Sequence, residues 1–117
     1  MNDPKTFRKR PVEVEAMRLP EAYPHGVDPS SDDYARNIEA ANVLCWLDKH
    51  LPRFDPLADD VPVSGWSIDP ATGFVIIATL EGVMQAKPGD WVVRGTRGEF
   101  YPCKPGPFAD TFEEVAP

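Results

Sequence analysis

Thr79 to Lys104 reads TLEGVMQAKPGDWVVRGTRGEFYPCK, and its turns decide the fold. Glu81-Gly82 makes a tight turn, Val83 to Lys87 a strand, and Pro88-Gly89-Asp90 a second turn in which proline presets φ and glycine supplies a positive φ. Trp91 to Arg94 is the next strand, Gly95 to Gly98 a four-residue hairpin loop, and Glu99 to Cys103 its partner. Upstream, Phe74 to Leu80 (FVIIATL) is an apolar, β-branched run suited to a buried central strand, preceded by a Pro/Gly turn at Asp69 to Gly73 and a short strand at Gly65 to Ile68. Downstream, Pro105, Gly106 and Pro107 break the chain. Phe108 to Asp110 makes one helical turn, and Thr111 to Val115 alternates as a final edge strand.

The N-terminal half supplies one strand and one helix. Pro11 to Leu19 places Val12, Val14 and Ala16 against Glu13 and Glu15, the alternation of a half-buried strand. Residues 20 to 33 are loop chemistry, with His25 in a turn and Ser30, Ser31 or Asp32 available as a helix cap. From Asp33 to His50, Tyr34, Ile38, Ala41 and Cys45 recur at helical spacing, widened by Leu44 and Leu47, with Trp46 at the stripe's edge and Pro52 as the stop. Residues 52 to 65 are a proline-rich surface excursion. The predicted class is α+β: an antiparallel, strongly curved sheet or small open barrel of about five to seven strands, with one main helix (33–50) packed on it.

Composition bounds the rest. A chain of 117 residues with 42% hydrophobic and 26% charged residues suits one folded domain, 1–117, and fourteen Pro and eight Gly imply much turn and loop. The formal charge of −7 argues against a dedicated nucleic-acid binder, whose affinity comes from neutralising phosphates. Residues 1–10 carry +3, so the rest carries −10, and the basic start reads as a solvated leader. No apolar run is long enough to span a bilayer or to serve as a signal peptide, so a cytoplasmic address is expected. In that compartment Cys45 and Cys103 are expected to be free thiols.

Residues 79 to 115, TLEGVMQAKPGDWVVRGTRGEFYPCKPGPFADTFEEV, resemble the C-terminal signature of the PGDYG family of small phage and prophage proteins, named for its Pro-Gly-Asp-aromatic turn. FRKRPVEVEAMRL and the helix end NVLCWL occur in the same order in that family, so the resemblance covers all but roughly residues 20–33 and 50–70. Val83 stands where the family usually has an acidic residue, Gly106-Pro107 where Asp and Ile are typical, and Phe112 where Tyr is common. No role passes to an acid at 83 or 106 or to a hydroxyl at 112. The resemblance implies a phage-encoded protein acting in a host bacterial cytoplasm and carries no established activity.

GxSxG, P-loop, GxGxxG, HExxH and CxxC patterns do not occur. A histidine-based metal site would have to draw on His25 and His50 from opposite sides of the helix, and nothing calls for a cofactor. The unusual feature is the density of polar groups beside the Pro-Gly-Asp turn. Glu99, Tyr101 and Cys103 share one strand face, and with Arg94 across the hairpin from Glu99 or Tyr101 the sheet would present a guanidinium, a carboxylate and a phenol together. The expected ligand-binding residues are therefore Arg94, Glu99, Tyr101, Trp91 and Lys104, engaging a host protein or a small anionic, nucleotide-like ligand. The bland reading is a cross-strand ion pair with tyrosine packing. A rival is a small hydrolase using Glu99 or Cys103, with Glu13 or His50 gathered into its pocket, and Glu13 with Glu15 as a same-face carboxylate pair. A third is an assembly protein whose exposed Trp66 or Trp91 marks an interface. A binding protein is favoured over an enzyme, and the residues leave the oligomeric state open.

Overall fold

A computed structural model of the chain describes residues 3–21 and 32–115, with the backbone alone described for residues 32–35. In chain order the elements are β1 (Glu15–Arg18), α1 (Asp32–His50), β2 (Gly65–Ile68), β3 (Val75–Thr79), β4 (Gly82–Ala86), β5 (Trp91–Arg94), β6 (Phe100–Cys103) and α2 (Pro105–Thr111). The class is α+β. Instead of one continuous ladder, the strands form two antiparallel three-stranded sheets, β2-β3-β4 and β1-β5-β6, and among the described residues no barrel closes.

The Lys87–Asp90 turn separates the sheets. Asp90 accepts the Lys87 N–H on Oδ2 at 3.0 Å, and its own N–H donates to the Lys87 carbonyl at 2.9 Å. Its carboxylate thus reaches back across the turn rather than forward to the amides two residues on. Gly89, at φ 90°, then donates to the carbonyls of Leu19 and Pro20, while the Leu19 N–H donates to the Asp90 carbonyl at 2.9 Å. Those bonds capture β5 for β1, so β4 and β5 are consecutive without pairing. One hydrophobic cluster nevertheless joins Leu19, Val43, Leu47, Trp66, Val75, Ile77, Ala86, Val92 and Phe100, so both sheets and α1 share a core.

The helix spans the expected residues but buries a different face. Ala40, Val43 and Leu47 are buried, whereas Ile38, Ala41 and Cys45 are exposed. Apolar residues occupy both sides of α1, so periodicity alone did not choose between two stripes. Packing chose the one that brings Trp46 edge-on to Phe100, at 5.1 Å between ring centroids and 72° between planes. The helix cap and His25 lie outside the described residues, as does the side chain of Tyr34. The excursion after Pro52 is anchored at its start: Trp66 donates its N–H to the Pro52 carbonyl and accepts the Phe54 N–H, both at 3.0 Å.

Two terminal strands differ from expectation. Only Glu15–Arg18 of the first pairs, because Glu15 already faces Arg94, the last residue of β5. Thr111–Val115 is not a strand. Pro105 begins α2, where a missing N–H costs nothing, and the helix runs to Thr111 before Phe112 caps it with an N–H bond to the Phe108 carbonyl. Phe112 itself is extended, and residues 113–115 after it belong to no regular element and are exposed.

Candidate functional site

Register dismantles the expected hairpin cluster. Arg94 lies opposite Phe100, and Tyr101 lies opposite Val93, so Arg94 and Tyr101 occupy opposite faces of the sheet. The residue across from Arg94 on the other side is Glu15, and Arg94 Nη1 donates to Glu15 Oε1 at 3.1 Å. The guanidinium carbon stands 5.9 Å from the centroid of the Phe100 ring. Glu99 turns inward on its own loop, accepting the Arg97 N–H on Oε2 at 2.9 Å and resting against the α-carbon of Gly95. The guanidinium, carboxylate and phenol do not converge. Lys104 is exposed and its carbonyl accepts the first bond of α2.

On the opposite face, Tyr101 and Cys103 are partly enclosed. Burial raises the Tyr101 pKa, with smaller contributions from Cys103 and Glu99, and burial followed by the Asp90 charge raises that of Cys103. A thiol held protonated is a poor nucleophile. His50 packs against Phe100, at 5.9 Å between centroids, on the face away from Cys103. The hydrolase groups are therefore not gathered: Glu99 closes a loop, Glu15 binds Arg94, and Cys103 and His50 are separated by the strand. Among the described residues no three His, Cys, Asp or Glu side chains form a metal-ligand group. Both cysteines are free.

Trp91 meets partners other than the hairpin residues expected beside it. Its ring stacks on Phe108 at 4.0 Å and 9°, and Phe108 in turn meets Phe112 at 5.0 Å. All three are half-buried. The row floors an open cleft of about 920 Å³ whose walls are residues 9–14 on one side and the end of α2 with its tail on the other. Lys9, Arg10 and Glu13 stand on the first wall, Glu113 and Glu114 on the second, and Val14 and Ala16 join the floor. The helical spacing of Phe108 and Phe112, i and i+4, was the available signal. Pro105 to Pro107 mask it, since the prolines that break a strand also suit the first turn of a helix.

Trp66, the other tryptophan expected to mark an interface, is buried, and its Nε1–H donates to Asp48 Oδ1 at 3.3 Å, so it belongs to the core. Among the described residues no helix is long and apolar enough to cross a membrane. Compared with family models, with curated proteins and with solved structures, the chain matches none of them.

Proposed function

We propose that this protein is a small binding module, without catalytic activity of its own, that takes an extended peptide segment of a host protein in the Trp91 cleft. The observation that carries the reading is the half-exposed row Trp91, Phe108, Phe112 lying between a wall with Lys9, Arg10 and Glu13, net positive, and a wall with Glu113 and Glu114. Aromatic rings supply contact area at low entropic cost, and hot spots of peptide recognition are enriched in them. The opposed charges of Lys9/Arg10 and Glu113/Glu114 orient the occupant, which carries an apolar or aromatic anchor between an acidic and a basic flank. Residues 11–14, which precede β1 and pair with no strand, line the same cleft and offer backbone groups to a bound segment. The resemblance to the PGDYG family supports a phage origin and hence a bacterial partner in the host cytoplasm. A small anionic ligand has less to hold it, since Arg94 is already engaged by Glu15.

The test is fluorescence anisotropy with labelled synthetic peptides patterned acidic–aromatic–basic, against charge-reversed and anchorless controls. The patterned set is expected to bind in preference, and Trp91→Ala to weaken it at least about tenfold, the effect of losing one aromatic anchor. Equal binding by all sets, or indifference to Trp91→Ala, overturns the reading. Preferential binding of free nucleotides, with displacement by salt and by Arg94→Ala, would instead return the site to the hairpin.

A further inference from the structure

Strand edges expose unpaired N–H and C=O groups, and natural sheets blunt them with charge, proline or cover. The outer edge of β2 is covered by the Pro52–Phe54 segment through the two bonds to Trp66. The outer edge of β1 carries Glu15 and Arg18. In β6 the bond from Gly95 N–H to the Glu99 carbonyl sets the alternation, so Tyr101 and Cys103 bond inward to β5 and Pro102, which has no N–H, faces outward. β4 has none of these devices: its residues are Gly82, Val83, Met84, Gln85 and Ala86, and the first four are exposed.

The direction of its backbone groups follows from the hydrogen-bond phase of the same sheet. Asp69 donates to the Phe74 carbonyl at 2.9 Å, so alternate residues 74, 76 and 78 bond toward β2, and 75, 77 and 79 bond toward β4. Those three face Ala86, Met84 and Gly82. Val83 and Gln85 are left aiming N–H and C=O away from the sheet.

We infer that β4 pairs antiparallel with β4 of a second copy of this chain, about a two-fold axis through Met84. In that register Val83 of one copy lies opposite Gln85 of the other, and the two outward-facing residues exchange both backbone bonds, twice by symmetry. Met84 meets Met84 of the second copy in the intervening non-bonded position, where side chains come closest. Glu81, the turn residue immediately before β4, falls beside Lys87 of the second copy, the residue immediately after β4, at both ends. Moving the axis to Val83 or Gln85 separates the charges. The segment is its own antiparallel complement in hydrogen-bond phase from Val83 to Gln85 and in charge from Glu81 to Lys87, which is the reason the occupant is a second copy rather than a foreign strand. Pairing would make one six-stranded sheet, β2-β3-β4-β4-β3-β2. So short a contact lies below the size of a permanent interface, so the dimer is weak and concentration-dependent.

Sedimentation velocity from micromolar to millimolar protein tests it, together with two sets of variants. Glu81→Lys places like charges opposite each other and is expected to raise the dissociation constant about tenfold, and the swap Glu81→Lys with Lys87→Glu to restore it. In a Cys45→Ser, Cys103→Ser background, Met84→Cys is expected to form a disulfide dimer at least about ten times faster than Leu80→Cys, a site on the same hairpin that is remote from its copy in this register. Far-UV circular dichroism confirms that each variant is folded. A monomer throughout the range, a dimer insensitive to Glu81→Lys, or equal cross-linking at 84 and 80 overturns the inference.

Discussion

Glu99 was the carboxylate of the expected ligand site, and the structure gives it a different duty that a double-mutant cycle measures. A Cβ added at Gly95 would land on the Glu99 carboxylate, and nothing in the Gly95 backbone conformation itself forbids a side chain. Gly95→Ala must therefore push Glu99 off the loop. Since Glu99 is exposed, it swings into water and loses only the 2.9 Å bond from Arg97 N–H, a bond to a charged acceptor. Removing that bond through Glu99→Ala is expected to cost about 1 kcal/mol. Gly95→Ala loses the same bond but gains about 0.5 kcal/mol from the stiffer unfolded chain, for a net cost of about 0.5 kcal/mol. With both changes the bond is lost once, so the double variant also sits about 0.5 kcal/mol below wild type, and the coupling is about −1 kcal/mol. Urea unfolding followed by tryptophan fluorescence provides the cycle. Additivity within about 0.3 kcal/mol would refute the account of Glu99 as a loop closure.

Other consequences are as specific. Leu47→Ala, at a fully buried site in the shared core, is expected to cost about 2–5 kcal/mol, and Ile38→Ala, 45% exposed on the same helix, less than about 1 kcal/mol; denaturant midpoints that reverse this order would put the wrong face of α1 inside. Gly89→Ala is expected to destabilise by about 1–2 kcal/mol, because Gly89 is buried at φ 90° and holds the turn against Leu19 and Pro20. A thermal melt unchanged by Gly89→Ala would sink that explanation. Cys103 should alkylate with iodoacetamide more slowly than exposed Cys45 at pH 8. Since its pKa is raised, its thiolate fraction at a given pH is smaller, and its rate should climb only at pH values above the ordinary thiol range. Peptide mapping after timed alkylation reads both sites, and a Cys103 rate profile matching that of a free thiol counts against its enclosure.

Local chemistry was legible to within a residue or two where turns dominate. Gly73, Gly82, Gly89 and Gly98 all take positive φ, and the strands at 65–68 and 91–94 begin and end as read, because glycine takes a positive φ at no steric cost and proline fixes its own φ whatever surrounds them. The partner of each strand was not legible. Arg94 had carboxylates at 13, 15 and 99 within reach of a plausible pairing, and only the Leu19 to Asp90 bond, made between residues far apart in the chain, selects Glu15.

The α+β class, the span of the long helix and the succession of short antiparallel strands can all be read from the chain, because interactions within a few residues set them. Three further features arise only when the chain is folded: which face of α1 is buried, the division of six strands into two sheets over one core, and the joining of Trp91 to Phe108 and Phe112 rather than to Arg94 and Tyr101. A side chain's face depends on register, and a register is fixed by a few long-range hydrogen bonds and by competition among apolar surfaces, neither of which leaves a local trace.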